Sequence, residues 1–258
     1  MLIRPGAIGD CILALPALEF LKAEYTEVWA PGVVLPLMRF ADRSRSIVST
    51  GLDGVEFSSK LVEELRSFDS IVSWYGAKRP EFRAALLDLG LEVEFLAALP
   101  DGSVDVHCAD FFARQVGAPV PSFPRISVEE LGSDAVIVIH PFSGGARKNW
   151  PLQRYRELAA RLPLPVRWCA GPEESLEGAI RFDDLYELAK WLGRARVYVG
   201  NDSGITHLAA AAGCRVVGIF GPTDPAVWGP RGSDVKIVRG DLEAIPVDNV
   251  LNAIYTLL

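Results

Sequence analysis

The chain is poor in the residues that mark metal, redox and disulfide proteins. Its 258 residues hold four cysteines and three histidines. Cys11, Cys108, Cys169 and Cys214 are far apart and form no CxxC pair. That pattern argues against a disulfide framework or a zinc site and predicts reduced core thiols. His107, His140 and His207 have no metal-ligand spacing to cysteine or carboxylate. No apolar run approaches the ~20 residues of a bilayer span. The opening MLIRPGAIGD lacks the charged-then-apolar layout of a secretion signal, so a cytoplasmic protein is expected. A long basic run is missing and the formal charge is −7, which argues against broad nucleic-acid binding. Neither G-x-G-x-x-G nor Gly-Lys-Ser/Thr occurs, so the glycine loops are not dinucleotide or P-loop fingerprints. Without a G-x-S-x-G elbow, Ser143 and Ser203 are not hydrolase nucleophiles. Without a D-x-D pair to hold a divalent ion on a nucleotide diphosphate, a metal-independent site is expected.

What is present is a large apolar core and a regular alternation. Half the residues are hydrophobic, and the length fits one large or two small domains. Short strands are expected at residues 1–4, 27–30, 46–49, 70–74 and 92–96, with helices at 11–24, 33–40, 60–67, 79–89 and 105–116. The three prolines of VPSFPR (120–125) read as a linker, dividing a first domain, 1–125, from a second, 126–258. The second half restarts the pattern, with strands at 135–139, 166–170, 197–199, 214–220 and 235–238. Helices are expected at 152–162, 183–192, 205–212 and 247–258, with Asp183 capping the second and the last one amphipathic, its apolar spacing suited to packing. Such alternation predicts an α/β protein with parallel sheets.

Candidate ligand loops fall at the C-terminal ends of strands, the edge where open α/β sheets bind ligands. In the first, residues 5–10, Gly6, Ile8 and Gly9 precede Asp10. Asp10 reads as the N-cap of its helix and as a carboxylate at the ligand edge, and the two roles are compatible. Ser143, Gly144, Gly145, Arg147 and Lys148 form a small basic loop, either solvated or suited to an anion through backbone amides and the lysine charge. Glu173 or Glu174 stands at a strand end where it could accept from a ribose, or simply face water. The run GNDSGITHLAAAAGC (200–214) places Asp202-Ser203 where a helix N-cap belongs and Gly213 where the helix stops. Its helix start, at Ser203, Gly204 and Ile205, offers free N–H groups and a positive dipole end to a phosphate. His207 reads as a packed helical residue, His140 as a brace for its loop and His107 as a surface residue.

Taken together, RPGAIGDCILALPAL (4–18), HPFSGGARKNWP (140–151) and GNDSGITHLAAAAGCRVVGIFGPTDPAVWGP (200–230) resemble glycosyltransferase family 9, the bacterial ADP-heptose:lipopolysaccharide heptosyltransferases. The resemblance implies a GT-B fold, two Rossmann-like domains with parallel sheets facing a central cleft, with the last helix, 246–258, packing back on the first domain. It implies inverting, metal-independent transfer of heptose from ADP-heptose to a saccharide acceptor such as lipopolysaccharide core, with no cofactor. It further implies Asp10 as general base, Lys148 on the diphosphate and donor sugar, and Asp202 on the sugar hydroxyls. Ser203, Gly204 and Ile205 match the phosphate-binding helix start, and Glu174 best matches the acidic residue near the ribose. Ser143, Gly144 and His207 fall in the matching donor-side motifs, and Gly6, Ile8 and Gly9 in the acceptor-side loop. A lipid-linked acceptor implies at most peripheral contact with the inner membrane face. The chain departs from the family in length: only eight residues separate Glu174 from Asp183, where a fuller helix and strand normally stand. A nucleotide-sugar-binding protein of GT-B fold without transfer, and a GT-B-like nucleotide-sugar epimerase, are the other readings of the same motifs.

Overall fold

A computed structural model describes residues 1–52, 54, 57–101, 106–128, 132 and 134–258. The first half runs β1 (Leu2–Ile3), α1 (Ile8–Phe20), β2 (Glu27–Ala30), β3 (Arg43–Ser46), α2 (Ser59–Arg66), β4 (Val72–Ser73), α3 (Pro80–Asp88), β5 (Glu94–Phe95) and α4 (Cys108–Gln115). The second runs β6 (Asp134–His140), α5 (Leu152–Arg161), β7 (Val166–Trp168), α6 (Leu185–Gly193), β8 (Ala195–Asn201), α7 (Gly204–Ala211), β9 (Val216–Phe220), α8 (Pro225–Trp228), β10 (Val235–Arg239) and α9 (Val247–Tyr255). Each half carries one five-stranded sheet, ordered β3-β2-β1-β4-β5 and β10-β9-β8-β6-β7, and the pairings between these strands are all parallel. Strand order reverses between β1 and β4 and between β6 and β8. Loops at such points splay apart above the strand ends and leave a crevice.

Several elements differ from expectation. Residues 33–40 do not form an α-helix; Gly32–Leu37 is a 3₁₀ segment, since β-branched Val33 and Val34 and then Pro36 disfavour a longer α run. The third strand comes earlier, at Arg43–Ser46, its polar sequence hiding an edge strand, and a 3₁₀ turn, Ile47–Thr50, follows. In the expected helix 105–116, Asp105 lies outside the described residues. Asp184, not Asp183, caps α6, accepting from the N–H groups of Tyr186 and Glu187. The last helix does not cross back to the first sheet. Val250, Leu251 and Ile254 of α9 pack instead with Tyr155 and Leu158 of α5 and with Ile219 and Val217 of β9.

Alternation along the strands separates three apolar layers. Met1, Ile3 and Trp29 face α2 and α3, while Leu2 and Val28 face the opposite way. On the second sheet Val197, Val199 and Val217 face α5 and α9, while Val138, Tyr198 and Val216 face the other side. The inward faces of both sheets share one cluster. Leu15 and Leu18 of α1 and Phe112 of α4 join it from one half, Leu188 and Leu192 of α6 and Leu208 of α7 from the other. All four cysteines are buried and free, and burial pushes their thiols up, Cys11 to about 11 and the other three to about 12.

Polar links reinforce this shared core. Ile126 N–H donates to Ala211 O at 2.9 Å. His107 is not simply a surface residue: its Nδ1 accepts from Ala109 N–H at the start of α4, and its Nε2 bonds Gly229 O at 2.9 Å. Arg231 forks onto Asp110 of α4 at 2.6 and 2.7 Å, and Ser122 N–H adds a third bond to the carboxylate at 2.7 Å. Burial raises the Asp110 carboxyl, but the bonds from Arg231 and Ser122 outweigh it and the net shift is downward. Asp110 is 13% and Arg231 17% exposed, so their pair is screened far less than a surface ion pair.

Asp110→Asn should therefore destabilise the chain by about 2 kcal/mol at pH 7, above the ~1 kcal/mol ceiling of exposed pairs. A depressed folded-state pKa gives a contribution that is complete above the usual aspartate value and lost as pH falls through the folded one. Urea denaturation of wild type and variant should thus converge in acid. Equal stabilities at pH 7 would show that the pair does not hold the halves together.

Candidate active site

The two points of strand reversal bring the starts of α1 and α7 into contact. A Cβ added at Gly204 would lie 2.7 Å from Ile8 Cβ and 3.0 Å from Gly9 N, so only hydrogen fits between the helices there. Gly6, at φ 131°, makes the preceding turn in a conformation that side chains disfavour. The N-cap of α1 is Ala7, which has no side chain able to cap. Asp10 is therefore not the N-cap but the third helical residue, and its Oδ2 reaches back to accept from Ala7 N–H at 3.1 Å. That bond fixes the carboxylate and leaves its second oxygen unengaged by the described residues. Beneath it Arg4, fully buried, donates to Asp10 O at 3.0 Å and Ala98 O at 3.2 Å, its guanidinium 4.3 Å from the Phe112 ring centre.

Ser203 caps α7, accepting from Thr206 N–H. The N–H groups of Gly204 and Ile205 then have no carbonyl within the helix to meet. Just before the cap, Asp202 is held by Ile219 O through its own N–H (3.0 Å), and its Oδ2 accepts from Lys148 Nζ at 2.7 Å and from Thr223 Oγ1. Asp202 is buried, while Lys148 is 38% exposed and retains two ammonium hydrogens for another anion. His207, one turn on, is buried with no partner for Nδ1 among the described residues. Burial draws its pKa down to about 4 against the opposing pull of Asp202, so the ring is neutral at pH 7.

The loop carrying Lys148 hangs on one buried amide. Asn201, at the end of β8, donates through Nδ2 to Pro141 O at 2.8 Å and accepts through Oδ1 from Trp150 N–H and Tyr155 O–H at 2.9 and 2.8 Å. Ser143 Oγ donates onto Asn149 Oδ1 at 2.7 Å, closing the loop on itself. His140 Nε2 meets Glu174 Oε2 at 3.0 Å, and Gly171 N–H donates to the same oxygen at 2.6 Å. Burial raises the Glu174 carboxyl, yet the bonds from His140 and Gly171 more than offset it and the net shift is downward. Its Oε1 faces no described partner.

A cavity of about 460 Å³ between the halves gathers Gly6, Ile8, Gly9, Ser143, Gly144, Glu174, Ser203, Gly204 and Ile205. Asp10, Lys148, Asp202 and His207 do not line it; Lys148 and Asp202 are paired with each other, and His207 is buried behind Gly9 and Gly204. Sequence reasoning missed Thr223, Asn201 and the apolar end of the cavity formed by Val33, Phe182, Leu185 and Leu188. An asparagine between a buried strand and a helix cap was a usable signal for Asn201. Val33 had none, since it arrives from the other half. Among the described residues no three metal-ligating side chains stand together, and no helix is long and apolar enough to cross a membrane.

Residues 114–251 match the family model of glycosyltransferase family 9 (heptosyltransferase). Lipopolysaccharide heptosyltransferase 1 of Pseudomonas aeruginosa is 30% identical over 158 residues, covering 52% of this chain and 44% of that protein. The alignment thus spans less than half the length of that relative. A family 9 glycosyltransferase from Veillonella parvula superposes with a TM-score of 0.75 at 18% identity, over 99% of this chain and 96% of that one. E. coli heptosyltransferase WaaC with ADP gives 0.71 at 17% identity, over 100% and 99%. At these identities the superpositions speak for the fold.

The contact between α1 and α7 separates glycines by what surrounds them. Gly204→Ala should cost about 1–3 kcal/mol, because backbone as well as Ile8 must move. Gly144→Ala, with open space around it, should cost less than about 1 kcal/mol. Chemical denaturation of both variants checks the contrast, and a tolerated Gly204→Ala would show that the helix starts do not need to touch.

Proposed function

The chain belongs to glycosyltransferase family 9, and from that premise we propose that it transfers heptose from ADP-heptose to a saccharide acceptor of the lipopolysaccharide core, with inversion and without a metal ion. The observation that carries the reading is the Lys148–Asp202 pair at 2.7 Å beside the start of α7, with Ile8 and Gly9 of the α1 start against Gly204 and Asp10 the next residue of that helix.

In this mechanism the diphosphate lies at the N-terminus of α7, met by the N–H groups of Gly204 and Ile205 and by Lys148. Ser143 and Gly144 border the same anion. Asp202 accepts from donor-sugar hydroxyls, with His207 as a neutral neighbour, and Glu174 offers Oε1 to the ribose. Gly6, Ile8 and Gly9 form the acceptor-side floor. The acceptor oxygen attacks the anomeric carbon while Asp10 takes its proton. On the opposite face the bond from that carbon to the phosphate oxygen breaks, and its electron pair leaves with the nucleoside diphosphate. Lys148 and the α7 dipole stabilise the charge that develops there, the task a divalent ion performs elsewhere. A lipid-linked acceptor would bring the reaction to a membrane surface by peripheral contact only.

Titration calorimetry with ADP, UDP and GDP, without added metal, should show preference for ADP. Lys148→Ala should weaken ADP binding and slow transfer by about 10²–10³-fold. Asp10→Ala should slow transfer about 10²–10⁴-fold with ADP affinity nearly unchanged. ADP binding with no transfer to any core saccharide would instead favour a nucleotide-sugar-binding protein, and no nucleotide binding at all would end the enzymatic reading.

A further inference from the structure

We propose that Val33, from the first half of the chain, forms one wall of the nucleobase pocket and is a binding determinant for the donor. The inference rests on the nucleotide site proposed above and adds a residue from the opposite half to it.

The lining of the cavity between the halves is chemically mixed. Its polar groups include the α7 start and two carboxylates, Glu174 and Asp183. Those features suit the diphosphate and the ribose. The rest is largely apolar: Phe182, Leu185 and Leu188 flank Asp183 in the second half, and Val33 joins them from the first, on the 3₁₀ segment that packs against α6. A purine ring, flat and weakly polar on its faces, is the part of a nucleoside diphosphate that fits such a surface.

Val33 is unusual for where it stands. It is 52% exposed, although Val34 beside it is fully buried. Its position is fixed nonetheless. The 3₁₀ segment Gly32–Leu37 packs against α6, and the Arg39 guanidinium lies 4.1 Å from the ring centre of Tyr186 on that helix. An apolar side chain held rigidly at a cavity mouth, with half its surface in water, gains burial when a ring fills the cavity. The length of the second half explains why the wall comes from elsewhere. Only eight residues separate Glu174 from Asp183, too few to build a further helix and strand beside the base.

The test compares ADP with inorganic pyrophosphate, which has no base, by titration calorimetry. Val33→Asp sets a charge against the ring and should weaken ADP binding about tenfold or more, with pyrophosphate unchanged within about twofold. Val33→Thr keeps the shape and should produce a smaller loss in the same direction. Val33 is half exposed, so both variants should retain wild-type thermal stability. Undiminished ADP binding in Val33→Asp overturns the inference while leaving the nucleotide site intact. Parallel loss of pyrophosphate binding also overturns it, because Val33 would then act on the whole cleft. A wild type that binds pyrophosphate but no nucleotide would remove the proposed function and the base pocket together.

Discussion

The contact of Gly9 and Ile8 with Gly204 is the constraint on which the cleft depends. Two helix starts, each a positive dipole end, are held against one another. Unaided, that arrangement is repulsive. It is sustained by the apolar cluster behind it, where α1, α4, α6 and α7 are buried together, and an anion in front of it would relieve it. Asp10 is the third residue of the α1 start, next to this contact and outside the cavity lining. One carboxylate oxygen accepts from Ala7 N–H at the N-cap, and the other has no bond among the described residues.

Around that contact the polar groups are arranged by tethers rather than by the helices alone. Asn201 binds the Lys148 loop to the end of β8, and Asp202 joins Lys148 to Thr223. His140 and Gly171 together orient Glu174. The loops therefore need little regular structure of their own. Fixed by a few buried hydrogen bonds, they keep their remaining donors and acceptors directed at the space between the sheets.

Much of this was legible in the sequence. The βα alternation specified parallel sheets, and N-D-S-G after an apolar strand placed the cap of α7 at Asp202-Ser203, of which Ser203 fills it. Asp10 was legible as a residue at the sheet edge but not as the third residue of its helix, because Ala7 supplies no capping side chain to read. Residues 33–40 read as an α-helix from their apolar content, which hid the effect of Val33, Val34 and Pro36 in the 3₁₀ segment Gly32–Leu37. The Glu174–His140 pair spans 34 residues and the Lys148–Asp202 pair 54, distances at which local pattern carries no information. Val33 is further removed still, since its place in the cavity is decided by packing between halves.

That shared core has a bearing on how the chain is made. During synthesis α1 and α4 emerge before the helices that cover them. The ribosome must add roughly a hundred more residues before α7 is complete, which takes about 5–20 s at typical elongation rates. For that interval Leu15, Leu18 and Phe112 present an uncovered apolar face. The first half is thus born as an incomplete body, and its protection by chaperones, or the speed with which the second half follows, becomes part of what the sequence must secure.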